Sequence, residues 1–115
     1  MSDEHELKKG TTPLLILAVL AEGPRHGYAI AREVERRSRD ALSLGEGALY
    51  PALRALEREG LIASRWEVQP SGPARRIYEI TDAGRQKLAR QVSAWQKLVE
   101  AVGSVIGGVP HGQPA

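Results

Sequence analysis

The side chains in this sequence best suited to chemistry are arginines. Arg54 and Arg58 stand one helical turn apart in the stretch Gly45-Glu46-Gly47-Ala48-Leu49-Tyr50-Pro51-Ala52-Leu53-Arg54-Ala55-Leu56-Glu57-Arg58-Glu59-Gly60. Arg75 and Arg76 follow a turn-rich segment, Pro70-Ser71-Gly72-Pro73-Ala74. Twelve of the sixteen cationic side chains are arginine, whose planar fork fits phosphate oxygens and base edges better than an ammonium does. Other chemistries lack their residues. With no cysteine there is no thiolate nucleophile, Cys-ligated metal or disulfide framework. His5, His26 and His111 are scattered without metal-ligand spacing, and glycine pairs such as Gly45/Gly47 are too sparse to cradle a phosphate. The expectation is a protein that binds, with no cofactor, no metal and no catalysis.

The stretch 45–60 predicts one helix of about four turns, bracketed by glycines. Leu49, Ala52, Leu53 and Leu56 recur at helical spacing and form its apolar face. Gly47, Pro51, Arg54 and Arg58 fall opposite, with Tyr50 and Ala55 beside them. Pro51 requires the helix to begin only a few residues earlier, where backbone N–H groups have no intrahelical partner to lose. A face that opens with small residues and a tyrosine, then carries arginines, suits close approach to a major groove. An amphipathic surface helix with ordinary solvated charges would show the same pattern.

Upstream, a helix is expected from Thr11 or Thr12, with threonine as N-cap and Pro13 at the first helical position. Residues 14–20 are apolar on every side, so this helix needs burial all round, between its own domain and a second chain. A further helix from about Gly27 to Ser38 has Tyr28, Ile30, Ala31 and Val34 on its inner side and Arg32, Glu33, Arg36 and Arg37 facing out. Its start, with His26 and Tyr28, offers N–H groups where a phosphate can sit, although His26 also fits a plain surface histidine. Helix, turn and helix form the arrangement that lays the second helix in DNA.

After Gly60 the period changes to two. Ile62, Trp66 and Val68 share one strand face, with Ser64 the polar exception, and Arg76, Tyr78 and Ile80 share a face of the next. A β-hairpin in this position reads as a wing, with Ser71, Gly72, Arg75 and Arg76 at or near its tip to touch phosphate or the minor groove, although an ordinary solvent hairpin would show the same pattern. A last helix begins at Thr81 or Asp82. Along it Leu88, Val92, Trp95, Val99, Val102 and Ile106 are spaced 4, 3, 4, 3 and 4, a heptad seam that wants a partner helix. That partner is a second copy of the seam, or the over-apolar first helix of another subunit, which makes the chain a homodimer. The alternative is a monomer with the helix folded back. Gly103, Gly107, Gly108 and Pro110 are expected to end it.

Composition agrees. Aromatic residues are only 4%, with no Phe, so the core must be aliphatic, which favours helices. Net charge is +2, too small by itself to argue for nucleic acid, though residues 24–80 hold ten arginines against eight acids. The charged N-terminus does not resemble a signal peptide, and residues 14–21 are too short an apolar run to span a bilayer. A cytoplasmic protein without membrane contact is expected.

Residues 7–10 and 14–20, His26-Gly27-Tyr28, Gly47-Ala48-Leu49-Tyr50-Pro51-Ala52-Leu53, Leu56-Glu57-Arg58-Glu59-Gly60-Leu61-Ile62 and Tyr78-Glu79-Ile80-Thr81-Asp82-Ala83-Gly84 together resemble the PadR family of bacterial transcriptional regulators. The resemblance covers roughly residues 7–106, and its length and single last helix are those of the short subfamily. It implies a winged helix-turn-helix repressor that binds palindromic operator DNA as a dimer, joined through the last helix. Where the family often has Tyr-Gly-Tyr, this chain has His26-Gly27-Tyr28. In multidrug-sensing members a tryptophan on the last helix faces its mate and stacks on flat aromatic ligands. Trp95 matches it, and Leu7, Gly10, Leu14, Val92 and Val99 are the neighbours the resemblance implies for an effector site. Trp95 is equally suited to plain interface packing. Val99, one turn on, is no carboxylate, which speaks against cationic effectors.

The expected architecture is therefore mainly α with a small β-hairpin. A winged helix-turn-helix DNA-binding domain occupies residues 11–80 and a C-terminal dimerisation helix residues 81–106, with flexible or partly ordered tails at 1–10 and 107–115. The expected partners are double-stranded DNA, a second copy and a small aromatic effector. The competing expectation is a winged helix used for protein–protein contact without DNA, which the modest net charge keeps open.

Overall fold

Thr11, Thr12 and Pro13 open the first helix, α1 (Thr12–Leu20), the proline standing where a missing N–H costs no intrahelical bond. The structure is a computed structural model, described here for residues 10–107. Leu7 and the rest of both proposed tails, apart from Gly10 and Gly107, lie outside the described residues. Ile16, Leu17, Val19 and Leu20 are buried, whereas Leu14, Leu15 and Ala18 stay half-buried. The apolar excess of α1 is thus only partly covered within one chain.

Arg25 and His26 then form β1 (Arg25–His26), pairing antiparallel with a strand far along the chain. Two residues are too few to show a period, so the spacing held no sign of it. Helices α2 (Gly27–Arg37) and α3 (Glu46–Arg58) follow, joined by a turn in which Arg39 and Asp40 take left-handed φ values of 53° and 64°. Ile30 and Val34 of α2 meet Leu49, Leu53 and Leu56 of α3 and the buried face of α1 in one aliphatic core. Two assignments on α2 change. Tyr28 is 63% exposed and lies outside the core, because two residues before the buried Ile30 it falls on the opposite side of the helix. Glu33 is not solvated: only 14% of its side chain is exposed, under Arg36 and Arg37.

Helix α3 closes in a Schellman turn. Leu61 N donates to Leu56 O at 3.0 Å, Gly60 N donates to Glu57 O at 3.0 Å, and Gly60 takes φ +75°. Strands β2 (Ile62–Glu67) and β3 (Arg75–Ile80) complete a sheet of order β1-β3-β2, with Ile62 opposite Ile80, Ser64 opposite Tyr78 and Trp66 opposite Arg76. Ile62, Tyr78 and Ile80 are buried on the core face. Trp66, two pairs further along that face from Ile62, is 65% exposed, and Val68 lies exposed past the strand end. The hairpin runs out beyond the helices that would have covered them.

Thr81 caps α4 (Asp82–Val105), its Oγ1 accepting from Gly84 N at 3.0 Å while donating to Gly60 O at 2.7 Å. Thr81 N donates to Leu61 O at 3.1 Å. The end of α3, the base of the hairpin and the start of α4 are thereby one knot. The helix continues through Gly103 and stops at Val105, one residue short of the expected 106, leaving Ile106 at the C-cap and Gly107 at φ +89°. One interior glycine costs only about 1 kcal/mol of helix propensity, too little to stop a helix this long. No helix among the described residues is long and apolar enough to cross a membrane.

Candidate nucleic-acid interface

On α3 the helical spacing separates two faces as expected. Leu49, Leu53 and Leu56 are buried, while Gly47, Tyr50, Pro51, Arg54 and Arg58 are exposed. Pro51 sits in the second turn and not the first. The bond it cannot make is to Gly47 O, on the exposed face of the helix. Nothing stands within 4 Å of where a Gly47 Cβ would be, so the N-terminal end of this face is open.

The start of α2, the middle of α3 and the wing enclose a cleft of about 340 Å³, lined by His26, Gly27, Tyr28, Tyr50, Arg75, Arg76 and Tyr78. Five of the residues named from sequence thus converge on one hollow. Arg54 and Arg58 lie further along α3, outside it, and Ser71 and Gly72 are exposed at the hairpin tip, where Gly72 takes φ +87°. Gly27 and Tyr78 were not anticipated as lining residues. Tyr78 is buried, and burial raises its phenol above the ordinary tyrosine value, so it enters as a neutral hydroxyl. Gly27 makes room for Tyr50, whose Oη lies 2.8 Å from where a Gly27 Cβ would be.

The two adjacent arginines differ. Arg76 Nε donates to Ser64 Oγ at 3.0 Å, Nη2 is 3.6 Å from Glu57 Oε1, and the guanidinium stands 5.4 Å over the Trp66 ring. Arg75 Nη1 lies 3.2 Å from His26 Nε2. His26 is the N-cap of α2, its Nδ1 accepting from Ala29 N at 3.3 Å. A neutral imidazole has one acceptor nitrogen, so while the ring caps the helix it offers Arg75 none. Among the described residues Arg75 meets no carboxylate, and its charge faces the cleft uncompensated. Tyr28 packs its ring parallel to His26 and accepts from Arg32 Nη1 at 3.0 Å. The helix start is therefore already furnished with a cap, which the expectation of a bare phosphate cradle had not included.

Behind the cleft, Glu33 is the centre of an ion-pair group. It accepts from Arg36 and from Arg37 Nε, and Arg25 Nη1 of β1 is 3.9 Å away, while Arg37 also reaches Glu22. The hydrogen bonds from Arg36 and Arg37 pull the Glu33 carboxyl down to about 2.

On α4, Leu88 is half-buried, and Val92, Trp95, Val99 and Val102 expose a continuous stripe, Trp95 at 46%. Ile106 extends the stripe one residue beyond the helix. Of the implied effector residues, Gly10 is exposed, Leu14 is half-buried on α1, and Val92, Trp95 and Val99 belong to this stripe. A separate apolar hollow of about 230 Å³ near Leu15, Val19, Val34 and Leu42 includes none of them. Among the described residues no cluster of His, Asp and Glu is arranged to hold a metal ion.

Residues 16–90 match the model of the transcriptional regulator PadR-like family. A transcriptional regulator of Mycobacterium tuberculosis is 35% identical over 107 residues, covering 93% of this chain and 94% of that protein. A solved PadR family regulator from Eggerthella lenta is 34% identical, with a TM-score of 0.78 over 88% of this chain and 86% of its own. The structure of Bacillus subtilis PadR in complex with operator DNA aligns at 29% identity and a TM-score of 0.64, over 70% of this chain and 45% of that longer one. These proteins are regulators and not enzymes. The chain belongs to the PadR-like family of transcriptional regulators.

Proposed function

We propose that the chain is a sequence-specific DNA-binding repressor that acts as a homodimer on a palindromic operator. The observation that carries this is the cleft. Arg75, His26, Tyr28 and Tyr50 converge beside the exposed face of α3, and Arg54 and Arg58 continue that face. In this reading α3 enters the major groove with Gly47, Tyr50, Pro51 and Arg54 nearest the bases. Arg75, the start of α2 and the tip at Ser71 and Gly72 hold the backbone and set the register. The apolar stripe of α4 joins two copies, which spaces the half-sites about one helical turn, ~34 Å, apart. A flat aromatic effector lodged between the copies at Trp95, with Leu14, Val92 and Val99, shifts the angle between subunits and so releases the operator. The similarity to a PadR crystallised on operator DNA supports the reading.

Fluorescence anisotropy tests it. A duplex enriched by the protein from a random-sequence pool is compared with a scrambled duplex at two salt concentrations. Preference for the enriched duplex, weakened by salt, is expected. No enrichment and no binding even at low salt would instead mark a protein-interaction module.

A further inference from the structure

We propose that Arg76 is a positioning residue rather than a phosphate contact. With Glu57 and Ser64 it forms a latch that fixes the wing against α3 and sharpens discrimination between DNA sequences. The inference rests on the DNA-binding reading above. Ser64 Oγ donates to Glu57 Oε2 at 2.6 Å and accepts from Arg76 Nε at 3.0 Å, and Arg76 Nη2 closes the ring 3.6 Å from Glu57 Oε1. The three residues come from α3, β2 and β3, so the ring ties the helix to both strands of the wing. Trp66, paired with Arg76 across the hairpin, lies under the guanidinium at 5.4 Å and holds its plane. A partly exposed ion pair contributes little stability by itself. What this one supplies is geometry, because the planar fork meets two partners in fixed directions.

Charge points the same way. Glu57 is an acid on the helix that approaches DNA, and left uncompensated it would repel phosphate. Arg76 neutralises it, and its own charge is spent in doing so. Its neighbour Arg75, with no carboxylate partner among the described residues, is left as the wing's cation for the backbone.

The test compares Arg76→Gln, Arg76→Lys, Glu57→Gln and the double variant Glu57→Gln/Arg76→Gln on the enriched and scrambled duplexes across a salt series, with melting curves to show that each is folded. Each single substitution is expected to reduce the preference for the enriched duplex about three- to tenfold, with the salt slope unchanged and the double variant no worse than either single. Lysine is expected not to rescue, because an ammonium keeps the charge but loses the planar bridge. The proposal is overturned if Arg76→Gln weakens both duplexes equally and lowers the salt slope by about 0.9, the signature of one lost phosphate contact. It is also overturned if Arg76→Lys restores the preference, or if Glu57→Gln leaves the preference for the enriched duplex unchanged. Failure of the unsubstituted protein to bind either duplex would remove the DNA-binding reading and the latch's role with it. Binding with additive substitutions would remove the latch alone.

Discussion

A Cβ on Gly84 would stand 2.1 Å from the carbonyl oxygen of Leu61 and 2.7 Å from Ile80 Cγ1, so α4 crosses the base of the wing at a distance only glycine permits. The obstacle is backbone, already held by Thr81 N and by the Schellman turn, and cannot step aside cheaply. Gly84→Ala is therefore expected to destabilise the fold by about 3 kcal/mol, at the upper end of overpacking effects. Gly47→Ala, with open space around it, should be neutral or gain up to about 1 kcal/mol of helix propensity. Thermal unfolding of the two variants checks this; equal melting temperatures would show that the Gly84 contact is relieved by small shifts.

Gly27 makes a contact of a different kind, against the far end of a side chain. An added Cβ would meet the Tyr50 hydroxyl at 2.8 Å, and Tyr50 can move outward because its ring is partly exposed. Gly27→Ala should thus leave stability nearly unchanged while displacing the Tyr50 ring from the cleft. If Tyr50 contacts DNA, affinity for the enriched duplex falls by about tenfold, the scale of one good polar contact, and Tyr50→Ala causes a similar loss. Unaltered affinity in Gly27→Ala would mean that the ring's position does not matter for binding.

Arg54 and Arg75 are expected to fail in different ways. Arg75→Ala should weaken binding to every duplex and lower the salt slope by about one phosphate contact's worth, ~0.9. Arg54→Ala should relax discrimination between the enriched duplex and single-base variants of it, by about 1–3 kcal/mol at one position. An Arg75 variant altered in sequence preference alone, or an Arg54 variant that discriminates as before, would exchange or remove these roles.

How much of this was legible in the sequence follows from the range of the forces involved. Helix α3 was readable because one face is aliphatic and its ends are glycines, and the hairpin because the period changes at Gly60. β1 was not, since its pairing depends on Tyr78 and Ile77, distant in sequence. Residue type groups Tyr28 with Ile30 although helical spacing sets the two on opposite sides, and for Trp66 the period says which face a side chain shares but not whether anything covers that face. The neighbours Arg75 and Arg76 looked equivalent; only the cross-strand register, which puts Arg76 beside Trp66 and near Ser64 and Glu57, distinguishes them. The resemblance located Gly84, and the structure supplies the physical reason for it.

Glu33 makes folding acid-sensitive in a defined window. Its carboxyl is lowered from about 4.5 to about 2 by hydrogen bonds from Arg36 and Arg37. A depressed carboxyl contributes its full stabilisation above the unfolded value and loses it as pH falls through the folded one. Glu33→Gln should therefore be less stable than the unsubstituted protein at neutral pH, the gap closing between about pH 4.5 and 2. Because the group also ties β1 and Glu22 to α2, the variant should show faster amide exchange at Arg25 and His26. A stability difference constant from pH 7 to pH 2 would show that the ion pairs are not its source.

The stripe on α4 carries the last prediction. Val92, Trp95, Leu98, Val99, Val102 and Val105 expose large apolar surface along one helix, while Leu14 and Leu15 of α1 are also incompletely covered. Contiguous apolar patches of this kind mark interaction surfaces on soluble chains, and a stable pair needs about 1,200–2,000 Å² buried in total. A seam at 3.5-residue spacing is matched by its own copy or by the open side of the other subunit's α1. Sedimentation equilibrium should then give a dimer at micromolar concentration. Val99→Glu should shift it to monomer by burying an unpaired charge at the seam, at a cost of several kcal/mol to association. Val99 lies outside the domain core, so the variant's winged helix should stay folded while operator affinity falls much more than affinity for a half-site. Leu14→Glu, at a half-buried position not packed on the core, distinguishes the two partners: dissociation of the dimer by this change as well would assign α1 to the interface, and an unaffected dimer would leave α4 paired with its own copy. A monomeric unsubstituted protein at these concentrations would mean that the stripe has another occupant.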